Sequence, residues 1–408
     1  MTSGDTLTAA VETLAYGGDG IARTDGRVIF IPETVPGERV RVRIRQLKKN
    51  FARAEILEIL DPSPRRIAPC CRVADPTTGA QVRVPGCVYD HLDYAAEVDA
   101  KQRQLEGFIR RLPDCGGVPF ENPFASPAPL HYRNKIVLHV QREQGRMRLG
   151  YRQEPSHRVL DVPACPLACD EINEALSALR AAAHAWKDGT RVTLRHTVCD
   201  GTVWWPDGEN APAPYAGLLT EASPVGDLRV PRDGFYQVNP AVGNALVRTV
   251  ATWFAENRHV PELFDLYCGV GIFGFACMKA GGEHLSGIES GMGAVAAARQ
   301  NAQALGLPAE FQCRVLGQEA ADLRAFIRAP ARTTTIVDPP RDGLAPDVAR
   351  ALAVSGTPRM FYVSCDPATL ARDLAVLLRS GYRVRRVQLF DMFPRTAHFE
   401  SLVELRLG

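Results

Sequence analysis

The chain of 408 residues has no apolar run long enough to span a bilayer, so no membrane-spanning helix and no membrane partner are expected. Its first residues, MTSGDTLTAAVETL, lack the basic and apolar blocks of a secretory signal, which makes a cytoplasmic protein the expectation. Long-period repeats and low-complexity tracts are absent too, which excludes a solenoid and a largely disordered chain. Net charge is nearly absent: 48 Lys+Arg face 46 Asp+Glu, so the whole protein is not a polycation that binds nucleic acid by bulk charge. The 11 cysteines are an odd number without a secretory signal, which argues against a disulfide framework and towards reduced thiols or a metal site. A hydrophobic content of 46% with 23% charged residues is ordinary for a globular protein, and the length suggests two or three domains.

Charge is distributed unevenly. Arg39, Arg41, Arg43, Arg45, Lys48, Lys49 and Arg53 lie in one stretch with no acid between them. The first four alternate with Val40, Val42 and Ile44, which places the arginines on one face of a strand and suggests a phosphate-binding surface. Around it, residues 5 to 60 read as short strands cut by turn signals at Gly17-Gly18-Asp19-Gly20, Asp25-Gly26 and Pro36-Gly37. That spacing predicts a five-stranded barrel of OB type over residues 1–61, ended by the linker Asp61-Pro62-Ser63-Pro64. Residues 62–228 form a central region, with a helix over 92–112 placed to pack on the last domain, a helix over 170–186, and strand-like runs at Lys135 to Val140 and Arg191 to Arg195.

Residues 229–408 alternate strand and helix. Helices are predicted over 241–256, 272–280, 292–305, 345–354 and 367–379, and strands over 262–267, 284–289, 333–338, 359–364, 382–391 and 399–407. This is the pattern of an α/β, doubly wound and mostly parallel sheet of Rossmann-like type. LFDLYCGVGIFG places Gly269, Gly271 and Gly274 in a G-x-G-x-x-G frame between strand and helix, and Glu289 ends the next strand, where an acid can grip ribose hydroxyls. Asp265 with Cys268-Gly269, and Asp338-Pro339-Pro340 at a later strand end, shift the choice from NAD towards S-adenosylmethionine.

YVSCDPATLARD, residues 362–373, presents Cys365 where a buried strand turns into a helix. A thiol there can be a core residue, a metal ligand or a nucleophile. A helix starting at Pro367 would lower its pKa, with Arg341 assisting.

Five stretches in this order, FYQVNP (235–240), DLYCGVG (265–271), VDPPRDGL (337–344), YVSCDPATLARD and DMFPRTAHFES (391–401), resemble the motif set of the RNA 5-methyluridine methyltransferases. The likeness is to the branch that methylates 23S ribosomal RNA and carries a TRAM domain and an iron–sulfur cluster. AYGGDGIARTDGRVIFIPETVPGERV (15–40) is similar to a TRAM domain, an OB-like RNA-binding module, and HYRNKI (131–136) and LDVPACPL (160–167) match the family's central RNA-binding region, an α+β domain. The resemblance implies a class I methyltransferase domain, with Cys365 as nucleophile towards C6 of uracil and Glu400 as the base that removes the C5 proton. It also implies that Gln237, Tyr267, Gly269, Ile272, Glu289 and Asp338 contact cofactor or uracil, with a further contact near residues 317–319. His398 is placed either to orient Glu400 or to pack. Ile272 departs from the pattern, standing where many relatives carry Asn.

By the same resemblance Cys70, Cys71, Cys87 and Cys165 are the candidate ligands of a [4Fe–4S] cluster, with Cys169 as a substitute. Here too the chain departs from the pattern, since Val84 stands where the family has its middle cysteine. A monomer acting on RNA is expected, on rRNA rather than tRNA; an inactive RNA-binding or assembly factor of the same fold is the alternative, against which Cys365 and Glu400 weigh.

Overall fold

The computed structural model describes residues 2–24, 26–75, 79–143, 145–153, 157–207, 217–257, 259–317, 323–327 and 329–408. Strands β1 (Thr6–Ala10), β2 (Thr13–Leu14), β3 (Gly20–Thr24), β4 (Arg27–Ile31), β5 (Arg39–Leu47) and β6 (Phe51–Asp61) make one sheet in the order β1-β5-β6-β4-β3-β2. The sequence predicts five strands; the sixth is the two-residue β2, too short to leave a periodic signal. Alternation in β5 buries Val40, Val42 and Ile44 in a small core with Ile29, Ile31 and Ala52.

The outward face of β5 corrects the reading of a free phosphate-binding surface. Register sets Arg39 opposite Asp61, Arg41 opposite Glu58 and Arg43 opposite Glu55. Arg39 Nε lies 3.1 Å from Asp61, Arg45 Nη2 2.6 Å from Glu55, and Arg41 pairs with Glu58. The stretch is free of acids along the chain, but the neighbouring strand sets three carboxylates against its four arginines, Arg43 and Arg45 sharing Glu55.

A short hairpin, β7 (Arg72–Ala74) and β8 (Gln81–Arg83), precedes helix α1 (Tyr94–Ile109). The central region is built on an antiparallel sheet, β11-β10-β9-β12-β13, from β9 (Lys135–Glu143), β10 (Arg146–Arg152), β11 (Val159–Asp161), β12 (Arg191–Thr197) and β13 (Gly201–Pro206). Helix α2 (Asp170–Ala183) covers one face with Ile172, Leu176 and Leu179, and the hairpin β14 (Leu218–Ser223) and β15 (Gly226–Pro231) follows.

The C-terminal part contains α3 (Pro240–Ala255), β16 (Glu262–Leu266), α4 (Ile272–Lys279), β17 (His284–Glu289), α5 (Met292–Leu305), β18 (Ala309–Cys313), β19 (Thr333–Val337), α6 (Pro346–Ala353), β20 (Arg359–Ser364), α7 (Pro367–Arg379), β21 (Tyr382–Phe390) and β22 (Glu400–Leu407). The seven strands run β18-β17-β16-β19-β20-β22-β21, with helices on both faces over two large apolar cores. This is the doubly wound sheet the alternation predicts. β18 has no counterpart in the sequence reading, because this edge strand buries only Phe311 fully and shows no alternation.

β22 alone runs against the rest, pairing antiparallel with both β20 and β21. Its first residue therefore lies at the carboxyl edge, where the parallel strands end. Helix α1 packs beside α7, and its buried Lys101 donates at 2.7 Å to both Glu97 and Asp391. Among the described residues no helix is long and apolar enough to cross a membrane.

Candidate active site

At the carboxyl edge β16 ends in a tight loop. Tyr267 adopts a left-handed φ of 59° and Gly271, which caps α4, one of 92°. A Cβ on Gly271 would meet the Phe275 ring at 2.6 Å, so both sterics and dihedral demand glycine there. The Glu289 carboxylate braces the loop, accepting from the backbone N–H of Gly269 at 3.1 Å and of Gly291 at 2.8 Å. Asp265, fully buried, accepts from Gly274 N–H at 3.1 Å.

Gln237, Tyr267, Gly269, Ile272 and Asp338, all singled out from the sequence, line one cavity over this loop. Glu289 acts from beneath as the brace. Phe235 and Tyr236 also line the cavity. The sequence reading passes over them, although they sit in the quoted FYQVNP stretch. Of residues 317–319, Gln318 and Glu319 lie outside the described residues.

Cys365 follows β20 and Glu400 opens β22, and the register Ser364 opposite Ser401 makes them neighbours at the same edge. Burial, then Glu400, then Asp338 push the Cys365 thiol up to about 12, against the pull of Arg341. The predicted lowering by the helix terminus fails for a local reason. Asp366 takes the free amides of α7, accepting from Ala368 and Thr369 N–H at 2.9 Å each, so the terminus is already capped by an anion. Burial and the Asp338 charge hold Glu400 well above the usual carboxylate range, and its buried Oε2 has no hydrogen-bond partner among the described residues. Burial and Glu289 push Asp338 up to about 7. The Asp338 charge thus raises both Cys365 and Glu400, while Arg341 pulls both down. The His398 ring packs edge-on to Phe393, with centroids 6.4 Å apart.

Among the described residues the four candidate metal ligands do not form one site. Cys71, Cys87 and Cys165 share one buried core, but Cys71 and Cys87 pair as a disulfide and Cys165 Sγ accepts from the Tyr151 hydroxyl at 3.3 Å. Cys70 is half-buried and feels Arg395, Asp90 and Glu97 instead. Cys169 caps α2. Among the described residues no group of three His, Cys, Asp or Glu side chains could hold a metal. The set does not fit the expected [4Fe–4S] cluster, and no step below runs through iron.

A tRNA (uracil-5-)-methyltransferase family profile matches residues 227–407, and a TRAM domain profile matches residues 1–57. The 23S rRNA (uracil(1939)-C(5))-methyltransferase of Chromohalobacter salexigens is 32% identical over 443 residues, spanning 97% of this chain and 88% of its own. The enzyme of that name from Acidithiobacillus ferrooxidans is 32% identical over 439 residues, spanning 96% and 95%. The chain belongs to the RNA uracil-C5 methyltransferase family. Its fold matches that of the tRNA (uracil-54, C5)-methyltransferase of Pyrococcus abyssi, solved with S-adenosyl-L-homocysteine, at a TM-score of 0.74 over 98% of this chain and 24% identity.

S-Adenosylmethionine suits the cavity of this family member on its own features. The left-handed glycine loop lets a ligand approach the backbone, and Asp338, which lines the cavity, would favour a cationic sulfonium.

Proposed function

We propose that the protein methylates C5 of a uridine in structured RNA, with 23S rRNA as the favoured substrate because the rRNA enzymes above align end to end with it. The observation that carries the reading is the adjacency of Cys365 and Glu400 across β20 and β22, with the Glu400 Oε2 buried and without a hydrogen-bond partner among the described residues. Gln237, Tyr267, Gly269, Ile272 and Asp338 hold S-adenosylmethionine and the uracil edge, while Glu289 keeps the glycine loop open.

C5 of uracil is a weak nucleophile. The Cys365 thiolate forms a bond to C6, and the C5–C6 π electrons move onto O4 as an enolate. When bound, S-adenosylmethionine supplies the electrophilic methyl that C5 captures. The Glu400 carboxylate then takes the C5 proton, the double bond re-forms and the sulfur leaves C6. Burial and the Asp338 charge raise both Cys365 and Glu400. Arg341 and an incoming sulfonium lower both groups, so ionisation is coupled to loading of the site. The target base has to leave its stack to reach an edge this enclosed.

The test is incubation with 5-fluorouridine-containing rRNA and S-adenosylmethionine. Fluorine cannot leave C5 as a proton, so a covalent protein–RNA adduct is expected to accumulate through Cys365. Methylation that persists in Cys365→Ala, with no adduct in the parent enzyme, would overturn the mechanism.

A further inference from the structure

The barrel has its own core, yet one of its residues belongs to the other end of the molecule. Tyr16, in the turn between β2 and β3, packs against the apolar core under the catalytic sheet. Its hydroxyl donates to Asp366 Oδ2 at 3.1 Å. Its ring stands edge-on to Phe399, with centroids 6.0 Å apart, and edge-on to Phe108 of α1 at 5.9 Å. Asp366 follows Cys365 in the chain and Phe399 precedes Glu400. One side chain of the barrel therefore touches the neighbour of each residue that carries the chemistry.

The turn is built to present it. Gly17 and Gly18 take left-handed φ values of 109° and 98°, and a Cβ on Gly18 would meet Val88 at 2.8 Å. Gln104 of α1 donates to the Leu14 and Ala15 carbonyls at 3.3 and 2.9 Å, fixing the backbone just before Tyr16. Asp366 divides its oxygens accordingly: Oδ1 caps α7 and Oδ2 takes the tyrosine.

Resting on the reading that Cys365 and Glu400 perform uracil methylation, we propose that Tyr16 is a positioning residue for that reaction. It fixes the Cys365 turn through Asp366 and seats the start of β22 through Phe399, so that the RNA-binding barrel completes the catalytic edge. Two consequences follow. The barrel supports the chemical step in addition to holding RNA. And because the Tyr16 hydroxyl spreads the Asp366 charge, its loss strengthens the field at the thiol, which also faces Glu400, Asp338 and Arg341.

The experiment uses the full chain and Tyr16→Phe, which keeps the ring and its packing and removes only the hydroxyl. Single-turnover methylation should fall about 10-fold, as expected for slight misplacement of a reacting group, with the RNA dissociation constant unchanged. The pH profile of Cys365 alkylation by iodoacetamide, read on its peptide by mass spectrometry, should move to higher pH. Asp366→Asn and the double variant complete a cycle, in which non-additive effects are expected of groups in contact. A Tyr16→Phe enzyme with unchanged rate and alkylation profile overturns the proposal, as do a loss confined to RNA affinity and a strictly additive cycle. Failure of the catalytic reading itself shows separately, as methylation that survives Cys365→Ala.

Discussion

The Ser401 hydroxyl donates to the Ser364 carbonyl oxygen at 3.1 Å, across the antiparallel step between β20 and β22. That step explains how a residue at the end of one strand and a residue at the start of another form a single site. With β22 parallel to β20, its first residue would lie at the opposite edge of the sheet. Reversal of this strand brings Glu400 to Cys365.

Division of labour between the two residues gives the first prediction. Glu400→Gln keeps the shape and removes the base, so attack at C6 and methyl transfer proceed while proton removal stops. A covalent complex with ordinary, unfluorinated RNA should accumulate, stable to denaturing electrophoresis, and turnover should fall by a factor of 10² or more. Cys365→Ala should form no adduct with either RNA. An adduct-free, slow Glu400→Gln enzyme would mean that Glu400 acts before the thiol does.

Asp338 predicts a pH dependence of stability. Its carboxyl is raised to about 7 in the folded protein by burial and Glu289, against an ordinary value of 3.8. A raised folded pKa means that its contribution is fully present below about pH 4 and is lost as the pH climbs through 7. Asp338→Asn removes that loss. Thermal unfolding of the ligand-free variant should exceed that of the parent at pH 8 and converge with it near pH 4. S-Adenosylmethionine affinity should fall in the variant, since the carboxylate that favours its positive charge is gone.

The glycine loop offers a paired test. Gly271→Ala forces a side chain to a φ of 92° and 2.6 Å from the Phe275 ring. The left-handed conformation alone costs roughly 1–2 kcal/mol. S-Adenosylmethionine binding by calorimetry should weaken at least 10-fold, because that loop frames the cavity. Gly291→Ala is the control. Its φ of −79° suits alanine, and its Cβ would meet Glu289 at an ordinary 3.5 Å. Its binding should match the parent's.

Much of this site is legible in the chain because its parts lie at strand ends. Strand–helix alternation fixes which residues reach the carboxyl edge, so Gly269, Glu289, Asp338 and Cys365 can be named without coordinates. What cannot be read is whatever depends on a neighbour distant in sequence. The acids opposite Arg39 to Arg45 come from β6, and the capping of α7 by Asp366 changes the field at a thiol whose helix looked free. Tyr16 is the extreme case, 350 positions from Asp366, in a turn whose glycines suggest only a bend. The cysteine set shows the opposite error. The family resemblance implies four ligands for one cluster, while among the described residues only Cys71 and Cys87 pair.

Lys101 yields the last prediction. It is fully buried on α1, yet it holds Glu97 and Asp391 at 2.7 Å each and the Phe393 carbonyl at 3.2 Å. Glu97 in turn accepts from the Arg395 backbone N–H at 2.6 Å, at a residue with a left-handed φ of 68°. These bonds tie the segment between β21 and Glu400 to a rigid helix. Lys101→Met preserves length and apolar bulk but takes the ammonium from two buried carboxylates, leaving Glu97 with Arg395 and Asp391 with the Tyr94 hydroxyl. Removing one member of such a buried group costs about 3–5 kcal/mol, which urea unfolding would read as a lower midpoint at an unchanged slope. Adding Glu97→Gln should restore part of that loss, since it removes one of the two carboxyl groups left without the lysine. Methylation should fall further than substrate binding does, since the loosened segment delivers Glu400 and leaves the glycine loop untouched. Equal midpoints for the single and double variants would place the stability of this segment elsewhere.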